Sequence, residues 1–199
     1  MQQHAAQILN NYSDQVVFVT AEEIEQGTDL VDEARQGGSE IVVIPRNLRD
    51  KIAAHNINSD DGEKVRIFSE FVSERNKNFE FKFIPTADLS LSEKMVLSKK
   101  EKIFSLIGGK PSNVKEILIS ETMQKDDYTF RPAEGLWTHT NGRITIKRSV
   151  LNDEERFIAV LLHELAHATS GATDATRRFE SELTKMLGVF GNAALNSSK

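Results

Sequence analysis

The stretch FIAVLLHELAHAT, residues 157–169, decides the fold of the second half of this chain. It is apolar on every side except at His163, Glu164 and His167, and Glu164 is its only acidic or basic residue besides the histidines. A helix of this composition belongs in a hydrophobic core, where a carboxylate or an imidazole without a partner is costly. Residues four apart share one face of a helix, so His163 and His167 can bind one metal ion.

Together these three residues form the HExxH pattern, which predicts a zinc site. Two histidines bind Zn²⁺, and Glu164 is close enough to take a proton from a water that the metal has acidified, and later to deliver it to a leaving amine. The pattern therefore predicts a zinc metallopeptidase, a hydrolase that cleaves peptide bonds with a Glu-activated water. The alternative is a pair of core histidines that have hydrogen-bond partners and bind no metal.

Residues at both ends of this stretch predict where the helix begins and ends. Asn152 is expected to be the N-cap, with Glu155 at the third helical position completing a capping box. Gly171 follows Ser170 and can take the left-handed conformation that ends a helix. We therefore expect one helix from Asn152 to Ser170.

A β-hairpin is predicted just before this helix. Residues 136–140 and 143–147 read as two strands, and Asn141-Gly142 as a two-residue primed turn. A strand that leads into a metal-binding helix is typical of zincins, and its free edge can hold an extended peptide by strand addition. The alternative is an ordinary hairpin that covers a hydrophobic helix. His139 lies on the first predicted strand, where it could stabilise an oxyanion or contact substrate. The alternative is an exposed histidine without a role.

A catalytic zinc ion needs a third protein ligand, and no histidine follows His167. The candidates are the acids Asp174, Glu180 and Glu182, at or in a helix predicted over Asp174–Phe190. Glu180 and Glu182 lie about 80° from the centre of that helix's apolar stripe on opposite sides, so helical geometry does not separate them. Asp174 is a good N-cap for the helix, but it also lies near the position at which some short-spaced zincins carry an acidic ligand.

Four stretches carry a resemblance to a known family: ISETM (119–123), GLW (135–137), GRITIKRSVL (142–151) and LLHELAHATSGATDATRRFESELTKMLG (161–188). They resemble a C-terminal region of bacterial proteins that have a histidine-kinase/Hsp90-like ATPase domain at their N-terminus, most clearly from Ser120 to Gly188. The family's pattern continues after HExxH with an acid, an arginine and an FE pair. These fall on Asp174, Arg177 and Phe179-Glu180.

The resemblance implies Glu180 as the third ligand, as in gluzincins. It also implies an ATPase partner or a fused ATPase domain, although this chain has no glycine-rich nucleotide loop. The alternative function is therefore a metal-binding but non-proteolytic regulatory or docking module of an ATPase-linked system. Arg177 either pairs with Glu180 or Asp174, binds a substrate carboxylate, or forms an ordinary surface ion pair.

The first half of the chain predicts a small α/β unit. Apolar strands at Gln15–Thr20 and Glu40–Pro45, joined by a helix at Ala21–Gln36, indicate a βαβ unit with parallel strands. A helix at Glu63–Arg75 and a strand at Phe79–Ile84 complete a Rossmann-like three-layer arrangement. Acidic residues after the first strand stand where a phosphate would bind, which favours a structural or partner-docking role.

The whole chain is therefore expected to combine α/β and α+β organisation, with a Rossmann-like domain at 1–86 and a zincin-like domain at 87–199. The latter comprises a helix at 92–107, a strand at 114–120 that joins the hairpin sheet, the HExxH helix and a second ligand-bearing helix. A net charge of −5 argues against a nucleic-acid partner. The chain has no cysteine and no long apolar run, so we expect a cytoplasmic protein without a membrane partner.

Overall fold

A computed structural model describes residues 16–57, 64–126 and 129–196. The fold mixes helices with small sheets and divides into two compact units, Met1–Glu80 with Gln124–Pro132, and Phe81–Met123 with Ala133–Lys199. Relative to the division expected at residue 86, residues 81–86 belong to the second unit and residues 124–132 to the first.

In its described residues, the first unit has two strands and four helices: β1 Val16–Val19, α1 Ala21–Gln26, α2 Thr28–Gln36, β2 Glu40–Val43, α3 Arg46–Ile57 and α4 Phe68–Lys77. β1 and β2 pair in parallel, as predicted. One helix was expected between these strands, and the structure has two. Gly27 caps the end of α1 and the start of α2, and a Cβ at Gly27 would lie 2.9 Å from the Phe68 ring. α3 was not predicted. Gln15 and Glu63, the expected first residues of a strand and a helix, lie outside the described residues.

The strand expected at Phe79–Ile84 does not join this sheet. The place beside β1 is taken by Ile67, which forms a parallel bridge to Phe18, and the Phe18 N–H donates to the Arg66 carbonyl at 3.0 Å. The physical reason lies in the side chains. Residues 79–84 (FEFKFI) alternate apolar and charged side chains, as does a strand of an antiparallel pair with one face in water, and Phe83 and Ile84 pair antiparallel with Ser120 and Ile119.

The second unit contains β3 Phe83–Ile84, α5 Leu91–Leu106, β4 Glu116–Ser120, β5 Gly135–Thr138, β6 Arg143–Lys147, α6 Glu154–Ser170 and α7 Arg177–Asn196. Its sheet has the order β3-β4-β6-β5, with β4 and β6 parallel and the other pairs antiparallel. The predicted pairing of β4 with the hairpin is confirmed. β6 and α6 supply the centre of the core, with fully buried Ile144, Ile146, Phe157, Leu161 and Leu165.

The turn between β5 and β6 differs from the two-residue turn expected. The strands end at Thr138 and begin again at Arg143, so the loop has four residues, and Gly142 has a φ of 70° while Asn141 does not have positive φ. The Gly142 carbonyl accepts the Lys115 N–H at 2.7 Å, and a Cβ at Gly142 would lie 2.5 Å from the Asn113 carbonyl oxygen. Contacts with residues 113–115, which lead into β4, therefore determine the conformation of this loop.

The N-cap of α6 is Asp153 rather than Asn152. The Asp153 carboxylate accepts the Arg156 N–H at 3.1 Å, while Asn152 ends a 3-10 turn over Arg148–Asn152 whose Leu151 is buried. The predicted left-handed end of the helix is confirmed, with a φ of 62° at Gly171. Among the helices in the described part of the chain, none has the length and the apolar content needed to cross a bilayer.

Candidate metal centre

Three side chains converge at the end of α6 and just beyond it: His163, His167 and Asp174. The two Nε2 atoms are 3.1 Å apart, and Asp174 Oδ1 lies 3.2 Å from Nε2 of His163 and 3.3 Å from Nε2 of His167. The three donor atoms thus form a nearly equilateral triangle. Within residues 16–57, 64–126 and 129–196, this is the group of histidine and acidic side chains that could hold a metal ion.

The size of this triangle fits a tetrahedral zinc site. Nitrogen and oxygen ligands about 2.0–2.1 Å from Zn²⁺ lie about 3.3–3.4 Å from one another when the geometry is tetrahedral. Mutual hydrogen bonds fit less well, because an N–H that points at one corner of such a triangle points about 60° away from the other. The donor set therefore fits one shared cation better than a closed ring of hydrogen bonds.

The backbone after α6 sets the tautomer of His167. Its Nδ1 lies 2.8 Å from the Ala172 carbonyl oxygen, which can only accept a hydrogen bond, so Nδ1 carries the proton. Nε2 then keeps its lone pair toward Asp174 and His163. A ring N–H held by a carbonyl in this way is typical of metal-binding histidines. The left-handed Gly171 turns the chain so that this carbonyl faces the imidazole.

Phe179, in the first turns of α7, supports both imidazoles. Its ring stacks on His167 with centroids 4.3 Å apart and meets His163 edge-on at 4.9 Å. Phe179 is buried, whereas the side chains of His163 and Asp174 are 40% and 56% exposed. The centre is therefore backed by an apolar ring on one side and open to water on the other.

Asp174 does not cap α7, contrary to one of the two expectations for it. The helix begins at Arg177, and the hydroxyl of Thr176 accepts the Phe179 N–H at 3.3 Å. Ala175 separates Asp174 from the helix and has a φ of 57°, in the left-handed region that alanine rarely adopts. The Asp174 carboxylate is thereby free to meet the histidines rather than the helix N-terminus.

Glu164 lies buried beside this centre, with 5% of its surface exposed. Burial raises the pKa of its carboxyl group to about 8, while the backbone N–H of Trp137 donates to the carboxylate and lowers the pKa in part. Burial also holds the pKa of His163 below its usual value, against the nearby charge of Asp174. A neutral imidazole and a buried carboxyl with a raised pKa suit a metal ligand and a general base.

The other acids considered as the third ligand are not part of this group. Glu180 is exposed, and Glu182 pairs with Lys185 at 3.4 Å and borders a groove between the end of α5 and α7. The sequence carried one signal for Asp174, its short spacing after His167. The opposing N-cap interpretation depended on where the next helix begins, and that was predicted three residues too early.

His139 and Arg177 also lie away from the three donors. His139 is exposed in the β5–β6 loop rather than on the strand, and its ring is 6.5 Å from that of Trp137. Arg177 is exposed, and it forms no ion pair with Asp174 or Glu180 in the described structure. Neither residue is one of the three donors.

No family model matches this chain, and no solved structure is significantly similar to it. Two proteins of Mycoplasma pneumoniae, both described as uncharacterized, are similar in sequence. One is 48% identical over 52 residues, which is 26% of this chain and 28% of that protein. The other is 26% identical over 129 residues, which is 63% of this chain and 34% of that protein. The chain thus spans about a third or less of the length of these curated relatives, and their descriptions carry no activity.

Proposed function

We propose that this chain is a zinc-dependent peptide hydrolase of zincin-like arrangement, in which His163, His167 and Asp174 hold the metal and Glu164 is the general base. The observation that carries the proposal is the triangle of donor atoms, with sides of 3.1, 3.2 and 3.3 Å, directly beside a buried carboxyl group. Asp174 takes the place that the resemblance gave to Glu180.

When bound, zinc would polarise the scissile carbonyl and acidify a water molecule. Glu164 takes the proton of the attacking water and delivers it to the leaving amine. In the metal-free chain its pKa of about 8 keeps this carboxyl largely protonated at pH 7, and a nearby cation favours the charged form that a base requires. The Trp137 N–H holds the carboxylate in place.

The free edge of β5 is the proposed place for the substrate. β5 is an edge strand of the sheet. The carbonyls of Glu134 and Thr138 accept hydrogen bonds from N–H groups on the β6 side, so the backbone groups of every second residue face β6. Gly135 and Trp137 therefore direct their backbone groups away from β6, and of these groups the Trp137 N–H is already bonded to Glu164. An extended peptide can pair with this edge next to Glu164.

The alternative is a metal-binding regulatory or docking module without proteolytic activity. It is favoured by the resemblance to a region of ATPase-linked proteins and by the length of the relatives, about three times the part that this chain matches. This alternative requires the same metal ligands and predicts no hydrolysis.

The proposal is tested by metal content and hydrolysis, measured together. Protein purified without a histidine tag or chelator should contain about one zinc per chain by mass spectrometry, and His163→Ala should lose it. A library of quenched fluorescent peptides should be cleaved by the wild-type chain, whereas Glu164→Gln should retain zinc and lose cleavage.

Full cleavage by Glu164→Gln would contradict the mechanism. Zinc without cleavage of any peptide would favour the regulatory module. No zinc, even after zinc is added back, would contradict both and leave a structural pair of histidines.

A further inference from the structure

We propose that Gly135 is a positioning residue for Glu164: the missing side chain at the start of β5 leaves the space that the Glu164 carboxylate occupies. Its catalytic meaning rests on the proposed function. The packing relationship between the two residues does not, and it can be tested separately.

The space beside Gly135 is already filled. A Cβ added there would lie 2.5 Å from Glu164 Oε1, 2.8 Å from Glu164 Cγ and 2.7 Å from Val160 Cγ1. Non-bonded heavy atoms do not approach so closely, since their optimal separation is about 3.5–4.0 Å. Any residue larger than glycine must therefore displace Glu164, Val160 or the strand itself.

Backbone conformation does not explain a glycine at this position. Five described glycines have a positive φ, namely Gly38, Gly108, Gly109, Gly142 and Gly171, and Gly135 is not among them. Other residues can adopt its strand conformation, so space is the requirement at position 135.

The carboxylate is the group that gives way most easily. Gly135 is paired with Ile146 in the β5–β6 ladder, and the adjacent Glu134 carbonyl accepts the Lys147 N–H at 2.9 Å. Val160 is a buried residue within α6. Glu164 has three rotatable side-chain bonds and is held through its carboxylate by the Trp137 N–H. A methyl group at position 135 should push that carboxylate off its hydrogen bond.

The metal ligands are not the first atoms to be disturbed. The three atoms nearest to the added Cβ belong to Glu164 and Val160, and none belongs to His163, His167 or Asp174. Gly135→Ala should therefore separate the two properties of the centre, with metal binding kept and proton transfer lost.

The packing is tested by a double-mutant cycle in stability, which needs no activity. Gly135→Ala should lower the midpoint of thermal unfolding, and Glu164→Ala should return at least half of that loss, because it removes two of the three close contacts. Gly188→Ala is the matched control, since nothing lies within 4 Å of a Cβ there, and its effect should be the same with and without Glu164→Ala.

Additive effects of Gly135→Ala and Glu164→Ala would overturn the inference. If Gly135→Ala alone does not fold, its combination with Glu164→Ala and Val160→Ala must restore folding, because the close contacts are then gone. Failure of that variant to fold would also overturn the inference.

The catalytic role is tested by zinc titration and kinetics of Gly135→Ala. Zinc affinity should stay within about threefold of wild type, and kcat should fall at least about tenfold, with a smaller change in KM, because only the base has moved. Loss of zinc together with activity would overturn the inference while leaving the proposed function intact. A wild-type chain that cleaves no peptide would contradict the proposed function, and the stability cycle would still decide the packing.

Discussion

Replacing Asp174 with alanine should weaken zinc binding strongly, whereas replacing Glu180 with alanine should not. Asp174 Oδ1 completes the donor triangle at 3.2 and 3.3 Å from the two imidazole nitrogens, while Glu180 is exposed and stands outside it. The two variants each remove one acid from neighbouring turns of the same region. They are therefore matched in the change of net charge.

The expected loss of zinc affinity is estimated from the average contribution of one ligand to the binding free energy. Structural zinc sites with four ligands bind with about 10–16 kcal/mol, or roughly 3–4 kcal/mol for each ligand. Each 1.4 kcal/mol is about a tenfold change in affinity, so one ligand is worth roughly 10²–10³-fold. Because the Asp174 side chain is 56% exposed, water can replace part of its contribution, and we expect a loss of about 10²-fold.

The assay is a competition titration with a chromophoric chelator at fixed pH and ionic strength. Cobalt substitution adds a second measurement, because the absorption of a tetrahedral cobalt site changes when an oxygen ligand is lost. Asp174→Asn should weaken zinc binding less than Asp174→Ala, since the amide oxygen remains. The ligand assignment would be refuted if Asp174→Ala bound zinc within about threefold of wild type, or if Glu180→Ala caused the larger loss.

Three further predictions concern the surroundings of the centre and the stability of the second unit. Ala175→Gly should raise the free energy of unfolding by about 0.5 kcal/mol, because glycine adopts the left-handed φ of 57° without strain, at some cost in chain entropy. A decrease of more than about 1 kcal/mol in the free energy of unfolding, measured by urea denaturation, would contradict the strain at Ala175. Phe179→Leu should lower zinc affinity by about tenfold in the same competition titration, since it removes the ring stacked on His167, and an unchanged affinity would show that the ring only fills space. The hydrogen bond from Arg148 holds the pKa of Glu93 at about 2, below its ordinary value of 4.5, so its contribution to stability is present above pH 4.5 and is lost as the pH falls toward 2. Urea midpoints of the wild type should therefore fall more steeply than those of Glu93→Gln across that window, and parallel curves would contradict the role of this pair.

The helix that carries the histidines could be predicted from the sequence because its determinants are local. A spacing of four residues brings His163 and His167 to one face whatever surrounds them, and a glycine after Ser170 ends the helix by its own conformational freedom. The parallel pairing of β1 with β2 follows as directly from two apolar strands joined by a helical segment.

The errors in the first unit arose where two segments competed for one place. Residues 65–67 and 79–84 are both short and rich in apolar side chains, and the position beside β1 goes to residues 65–67, in which Val65 and Ile67 are buried. Periodicity within a single segment does not say which neighbour it will pair with, because pairing depends on residues far away in the chain.

By itself, therefore, the sequence determined which residues offer metal-binding chemistry, and that His163, Glu164 and His167 lie on one helix. Only the tertiary structure decided which acid joins them. Glu180 and Glu182 were equivalent on a helical wheel, and Asp174 stayed a candidate whose alternative role, as the N-cap of the next helix, depended on a helix start that lies at Arg177 instead. The physical reason is that an acid can share a metal ion with the histidines only if its carboxylate lies close to them, and this distance depends on how different elements pack. The turn at Ala175, the support of Phe179 and the close approach of Glu164 to Gly135 arise only when those elements pack.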